Sequence, residues 1–102
     1  MDRVAMLQEV LAQNPNDAFA RYGLAMEYAN TGKTDSALTE FARLLEANPD
    51  YTPAYQMSAQ TLMKVGREDE ARKLLEAGIS CANRTRNQHA LSEMQGMLDE
   101  LG

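Results

Sequence analysis

Apolar residues along this chain return at intervals of three and four. The recurring stripes are Leu7, Val10 and Leu11; Leu24 and Tyr28; Leu38, Phe41 and Leu45; and Leu74, Leu75 and Ile79. That interval places each set on one face of an α-helix, because a 3.6-residue turn brings positions i, i+3 and i+4 to the same side. The pattern predicts helices over 2–13, 17–30, 34–47, 52–65, 68–81 and 86–100, with no segment that qualifies as a strand. The connections between them are short, which makes consecutive helices antiparallel neighbours. Small residues interrupt the stripes at Ala20, Ala25, Ala37, Ala54, Ala59 and Ala71, where two helices would cross closely.

The punctuation supports these bounds. Gly32 and Gly66 stand where helices should end, and glycine supplies the left-handed backbone that C-terminal caps favour. Asn16 and Asp50 follow prolines and are candidate N-caps. Asp35 and the run Glu68-Asp69-Glu70 put acids into first turns, where the helix dipole favours negative charge. Thr85 and Gln88 have the spacing of a capping box and would start the last helix.

The chain also repeats itself at an offset of 34 residues. Asn14-Pro15 returns as Asn48-Pro49, Gly32 as Gly66, Asp35 as Asp69 and Ala37 as Ala71. Leu11/Leu45, Ala20/Ala54 and Ala25/Ala59 keep the same register, as do the conservative pairs Asn16/Asp50 and Lys33/Arg67. A fixed period in which small and large positions alternate describes helical hairpins stacked side by side.

Composition narrows the classes of function. The chain has 102 residues, 44 % apolar and 25 % charged, which suits one folded domain with its own core rather than a disordered segment. Fifteen acids against ten bases leave a net charge of −5, which argues against nucleic acid, since phosphate binding needs clustered Lys and Arg. The single cysteine forms no internal disulfide, and no Cys/His cluster suggests zinc. No apolar run approaches the ~18 residues of a membrane span. Met1-Asp2-Arg3-Val4 lacks the basic-then-apolar order of a signal peptide, so the expected location is cytoplasmic.

The repeat resembles the tetratricopeptide repeat, a 34-residue helix–turn–helix unit with the pattern Trp-x-x-Leu-Gly-x-x-Tyr, Ala-x-x-x-Phe, Pro. Residues 18–51 offer Arg21-x-x-Leu24-Ala25-x-x-Tyr28, then Ala37-x-x-x-Phe41, then Pro49. Residues 52–85 offer Tyr55, Ser58, Ala59 and Leu62, then Ala71-x-x-x-Leu75, with Asn83 at the proline position. The departures are Arg21 for Trp in the first match and a degraded second match. The resemblance implies an all-α fold, a right-handed superhelix of antiparallel helix hairpins with about six helices, including a C-terminal capping helix. Residues 1–102 would form a single domain: an N-terminal half-repeat helix (1–17), two repeats (18–51 and 52–85) and the cap (86–102). In the cap, Gln88, His89, Ser92, Glu93 and Gly96 occupy inter-helix packing positions, whereas the apolar stripe runs through Leu91, Met94, Met97, Leu98 and Leu101. That arrangement is apolar toward the stack and polar toward water.

The same resemblance implies a non-catalytic scaffold for protein–protein interaction, whose first helices line a concave groove for a peptide or partner helix. Carried over position by position, the groove residues are Phe19, Tyr22, Met26, Ala29 and Asn30, then Gln56, Met57, Gln60, Met63 and Lys64, with Ala90, Met94 and Met97 as an extension. Some co-chaperone members of the family hold a terminal carboxylate with Lys, Asn and Arg at such places. Here Tyr22, Met26, Met57 and Ala90 stand there, and a desolvated carboxylate would lack its charge-assisted donors. A Met-rich, largely uncharged lining better suits a protein or peptide partner with an apolar face. Against that, methionines at helical spacing also serve as core, which is the competing reading for Met57, Met94 and Met97.

The alternative function is structural self-association into a homodimer. Helix 2–13 lacks the first helix of its own repeat, which makes Val4, Met6 and Val10 a candidate seam. No catalytic, cofactor or metal site is expected. Cys81 reads as a small buried hydrophobe, and His89, eight residues on, is too remote to be presumed its catalytic partner, with no third residue to make a triad. Glu68-Asp69-Glu70 is explained by the dipole, and Arg84 and Arg86 read as a solvated loop.

Overall fold

A computed structural model of the chain describes residues 2–102. It contains α1 (Arg3–Gln13), α2 (Ala18–Asn30), α3 (Thr34–Ala47), α4 (Thr52–Lys64), α5 (Glu68–Arg84) and α6 (Gln88–Leu101), and no strand among the described residues. The fold is all-α and helical-repeat in type. The chain divides into two compact units, with the boundary between Asn48 and Pro49.

In the first unit, α2 packs against both α1 and α3. Leu11, Ala20 and Leu24 form a buried cluster, with Val4, Leu7 and Tyr28 packed around it. Ala25 on α2 and Ala37 on α3 are fully buried, as is Phe41, which meets the Tyr22 ring edge-on at 6.2 Å between centroids. Arg21 occupies the tryptophan position of the repeat pattern. Its guanidinium donates to Glu40 Oε1 at 2.5 Å and to the Pro15 carbonyl at 3.0 Å, with both charged side chains largely buried.

In the second unit, α5 packs against both α4 and α6. Ala54, Ala59, Leu62, Ala71, Leu75, Cys81 and Met94 make its core. Tyr55, at the place equivalent to Arg21, donates its hydroxyl to the Pro49 carbonyl at 2.7 Å. One repeat position thus ties the helix back to the same preceding proline in both units, by a guanidinium in one and a phenol in the other. Leu74 stands where the first repeat has Glu40, so no buried carboxylate needs a charged partner there. Gly78 sits at a close approach of α5 to α4 and α6, since a Cβ there would be 2.5 Å from Met94 Sδ and 2.7 Å from Tyr55 Cβ.

The helix ends follow local chemistry, with several departures from the sequence reading. Gly32 and Gly66 both adopt φ +78° and close C-terminal caps, in which Lys33 N–H reaches the Tyr28 carbonyl (2.9 Å) and Arg67 N–H the Leu62 carbonyl (3.0 Å). Helix α5 runs three residues past the expected end and closes with the same motif, Asn87 N–H to the Ala82 carbonyl at 2.8 Å. Arg86 takes the glycine's place there, at φ 58°. The capping box at Thr85 does not form. The Thr85 hydroxyl instead donates to the Cys81 carbonyl, and Asn87 caps α6 by accepting from Ala90 N–H at 3.1 Å. Likewise Asp17, not Asn16, caps α2, and Asp50 caps nothing, because it holds Arg84 at 2.6 Å. Arg84 is therefore an ion-paired residue of the last turn of α5 and not part of a solvated loop.

Candidate functional site

The expected binding residues fall on one helix of each unit. On α2, Phe19 is 80 % exposed and Asn30 is exposed, whereas Tyr22, Met26 and Ala29 are half-buried. On α4, Gln60 and Lys64 are exposed, and Gln56, Met57 and Met63 are half-buried. The proposed extension onto α6 needs correction. Met94 is fully buried, its thioether packed on α5 at Gly78, and Ala90 is nearly so, which leaves only Met97 near the surface.

Within the second unit, a hollow of about 430 Å³ is lined by Gln60, Met63 and Lys64 of α4 with Met97 and Glu100 of α6. Positions 60, 63 and 64 share a helix face by their spacing, as do 97 and 100, so each helix contributes one stripe. The thioether walls are apolar and conformationally adaptable, and the amide and two charges stand beside them. The chemistry of such a surface is that of an apolar contact with polar groups at its edge; its lining includes no nucleophile paired with a base. Glu100 was not among the residues expected from the sequence. The signal for it is its place one turn beyond Met97, on a helix otherwise assigned to capping.

The candidate self-association seam separates in the structure. Val4 packs against the Leu11 cluster, whereas Met6 and Val10 are 54 % and 44 % exposed. Beside them Glu9 and Gln13 complete a shallow hollow of about 380 Å³.

The reactive residue types lie elsewhere. Cys81 is buried, its sulfur 3.6 Å from Thr52 Oγ1 and 3.7 Å from the Pro49 carbonyl oxygen. Burial, and then the neighbouring Cys81, push the Tyr55 phenol above its usual range. His89 is exposed on α6 and pairs with Glu93 at 3.1 Å. In the first turn of α5, a hydrogen bond from Arg67 holds the Glu70 carboxyl below its usual range, and the Asp50 hydrogen bond raises Arg84. Among the described residues, no three of His, Cys, Asp or Glu are grouped to hold a metal ion. No helix among them is long and apolar enough to cross a membrane.

A family model described as tetratricopeptide repeat matches residues 4–59 and again residues 31–94. The chain belongs to the tetratricopeptide repeat family. It is 26 % identical over 95 residues to a TPR repeat-containing protein of Pseudomonas aeruginosa, covering 93 % of this chain and 90 % of that one. Among solved structures it resembles a tetratricopeptide repeat domain protein of Salinibacter ruber. There the identity is 32 %, the TM-score 0.80, and the coverage 86 % of this chain and 89 % of that chain. It also resembles YrrB, described as a TPR protein with an unusual peptide-binding site, at 27 % identity and a TM-score of 0.77, over 90 % of this chain and 46 % of that one. Tetratricopeptide proteins are in general non-catalytic interaction modules that bind protein or peptide partners. The arginine and tyrosine at positions 21 and 55 are thus this member's replacements for the family tryptophan.

Proposed function

We propose that this tetratricopeptide protein is a non-catalytic, cytoplasmic scaffold that holds a peptide or partner helix by an apolar face. The contacts assigned are Phe19, Tyr22, Met26 and Asn30 on α2, and Gln56, Gln60, Met63 and Lys64 on α4. The observation that carries the reading is Phe19, four-fifths exposed on the helix the family uses for binding. An aromatic ring left in water contributes little to the fold, whereas its burial against a partner would contribute about 1.5–3 kcal/mol. The peptide-binding site described for YrrB supports the same use of this fold.

Selection of random peptides displayed on phage tests it. Peptides rich in apolar residues should be enriched, and Phe19→Ala combined with Met63→Glu should lose them while keeping the helical spectrum and thermal midpoint. No enrichment, or equal retention by the double variant, would refute the reading.

Self-association remains the second reading, favoured by one internal comparison. Met6 and Val10 stand 34 positions before Glu40 and Leu44, which are only 9 % and 2 % exposed, so α1 leaves open what α3 covers. Light scattering over a hundredfold dilution should then show a dimer that Met6→Glu with Val10→Glu dissociates; a monomer throughout excludes it.

A further inference from the structure

The hollow between α4 and α6 carries more information than its apolar walls. Lys64 is the last residue of α4, where a cation suits the negative end of the helix dipole. Glu100 lies in the last turn of α6, where the same dipole disfavours a carboxylate. Both are exposed, and neither takes part in an ion pair or hydrogen bond among the described residues. Helix chemistry therefore explains Lys64 and leaves Glu100 unexplained. The hollow thus carries a positive charge on its α4 wall and a negative charge on its α6 wall, with one thioether from each helix. The hollow, about 430 Å³ and open to solvent, has room for a large aliphatic side chain between the two thioethers.

We infer that this hollow selects a single aliphatic anchor residue carried between two opposite charges, an acidic neighbour set against Lys64 and a basic neighbour set against Glu100. The inference rests on the interaction-module reading and adds the chemistry of the partner at one place. A partner flanked by two acids would meet Glu100 with like charge, and one flanked by two bases would meet Lys64. Selectivity at this site is thus electrostatic, with the methionines accommodating leucine, isoleucine or methionine alike.

The test uses the full chain labelled with ¹³C at the methionine methyls and three blocked pentapeptides. Their centres are Asp-Leu-Arg, Asp-Leu-Asp and Arg-Leu-Arg, so that either chain direction gives the same charge classes. The Met63 and Met97 methyl signals should shift with the mixed-charge peptide at an affinity roughly three- to tenfold tighter than with the other two, a preference lost in high salt. Lys64→Glu should move the preference to Arg-Leu-Arg, and Glu100→Lys should move it to Asp-Leu-Asp. Both positions are exposed, so the variants should keep the wild-type fold.

Equal shifts of Met63 and Met97 with all three peptides would overturn the charge rule and leave the interaction reading standing. Movement of the Met26 signal alone would overturn it as well, since the anchor would then sit on the first unit. If no methyl signal moves, the inference fails, and the interaction reading is decided separately by the display selection.

Discussion

Replacing Gly78 by alanine sets two physical effects against each other with opposite signs. Glycine inside a helix costs about 0.5–1 kcal/mol relative to alanine, so propensity alone predicts a more stable protein. Packing predicts the reverse. The new Cβ would lie 2.5 Å from Met94 Sδ, 3.2 Å from Met94 Cε and 2.7 Å from Tyr55 Cβ. Relaxed carbon–carbon contacts lie near 3.5–4.0 Å. The thioether of Met94 can rotate away, although it is fully buried and has little room. Tyr55 Cβ cannot, because it is fixed to the α4 backbone and its hydroxyl is held at the Pro49 carbonyl. Helix α4 must therefore move from α5. Overpacking of this kind costs about 1–3 kcal/mol, which leaves a net loss of about 0–2.5 kcal/mol after the propensity gain. Gly96→Ala in the same unit is the control: nothing lies within 4 Å of its added Cβ, so it should gain about 0.5–1 kcal/mol. Gly23→Ala should also gain, because its nearest contact, Leu7 Cδ2 at 3.5 Å, is an ordinary one. Urea unfolding followed by far-UV circular dichroism reads all three. If Gly78→Ala is as stable as Gly96→Ala, α5 does not approach its neighbours as described.

Three further perturbations test other parts of the fold. Arg86→Gly should raise stability by about 0.5–1 kcal/mol, since a non-glycine residue at positive φ costs roughly 1–2 kcal/mol and glycine returns part of that as unfolded-state entropy; a lower thermal midpoint would contradict the strain. Arg21→Tyr and Glu40→Leu should each cost about 1–3 kcal/mol alone, because either leaves a largely buried charge without its main partner. Made together, they copy the Tyr55/Leu74 pairing of the second repeat and should fall within about 1 kcal/mol of wild type; additive losses in the double-mutant cycle would refute the pairing. The Glu70 carboxyl is held below its unfolded value, so its contribution is present above the unfolded pKa of about 4.5 and is lost as pH falls through the depressed folded value. The stability difference between wild type and Glu70→Gln should accordingly shrink on acidification below pH 4.5, and a difference that grows would reverse the assignment.

Features that depend on each residue's own backbone and nearest neighbours were legible from the residues alone. Helical periodicity placed all six helices, and the 34-residue register marked equivalent positions. Gly32 and Gly66 were legible as caps because a positive φ is a property glycine carries wherever it stands. The polar face of α6 was legible too: Gln88, His89, Ser92, Glu93 and Gly96 are all exposed. Local patterns failed where a distant group competed for the same atoms. Asp50 had the composition of an N-cap, but Arg84, 34 residues away, holds its carboxylate. Thr85 had the spacing of a capping box, but α5 ran on far enough for its hydroxyl to reach the Cys81 carbonyl.

Tertiary structure alone decided which glycine, methionine and charge mattered. Gly78 and Gly96 look alike as isolated mid-helix glycines, yet only the first has a neighbouring helix where its side chain would be. Met94 and Met97 belong to one apolar stripe, and a close approach at Gly78 buries one while the other stays half-buried beside the hollow. Glu100 joined the candidate site only because α6 sets it beside a hollow shared with α4. Helix formation is fixed by interactions within a turn or two, so a single sequence encodes it locally. Which faces are covered depends on contacts between helices far apart along the chain, and those exist only once the units have packed.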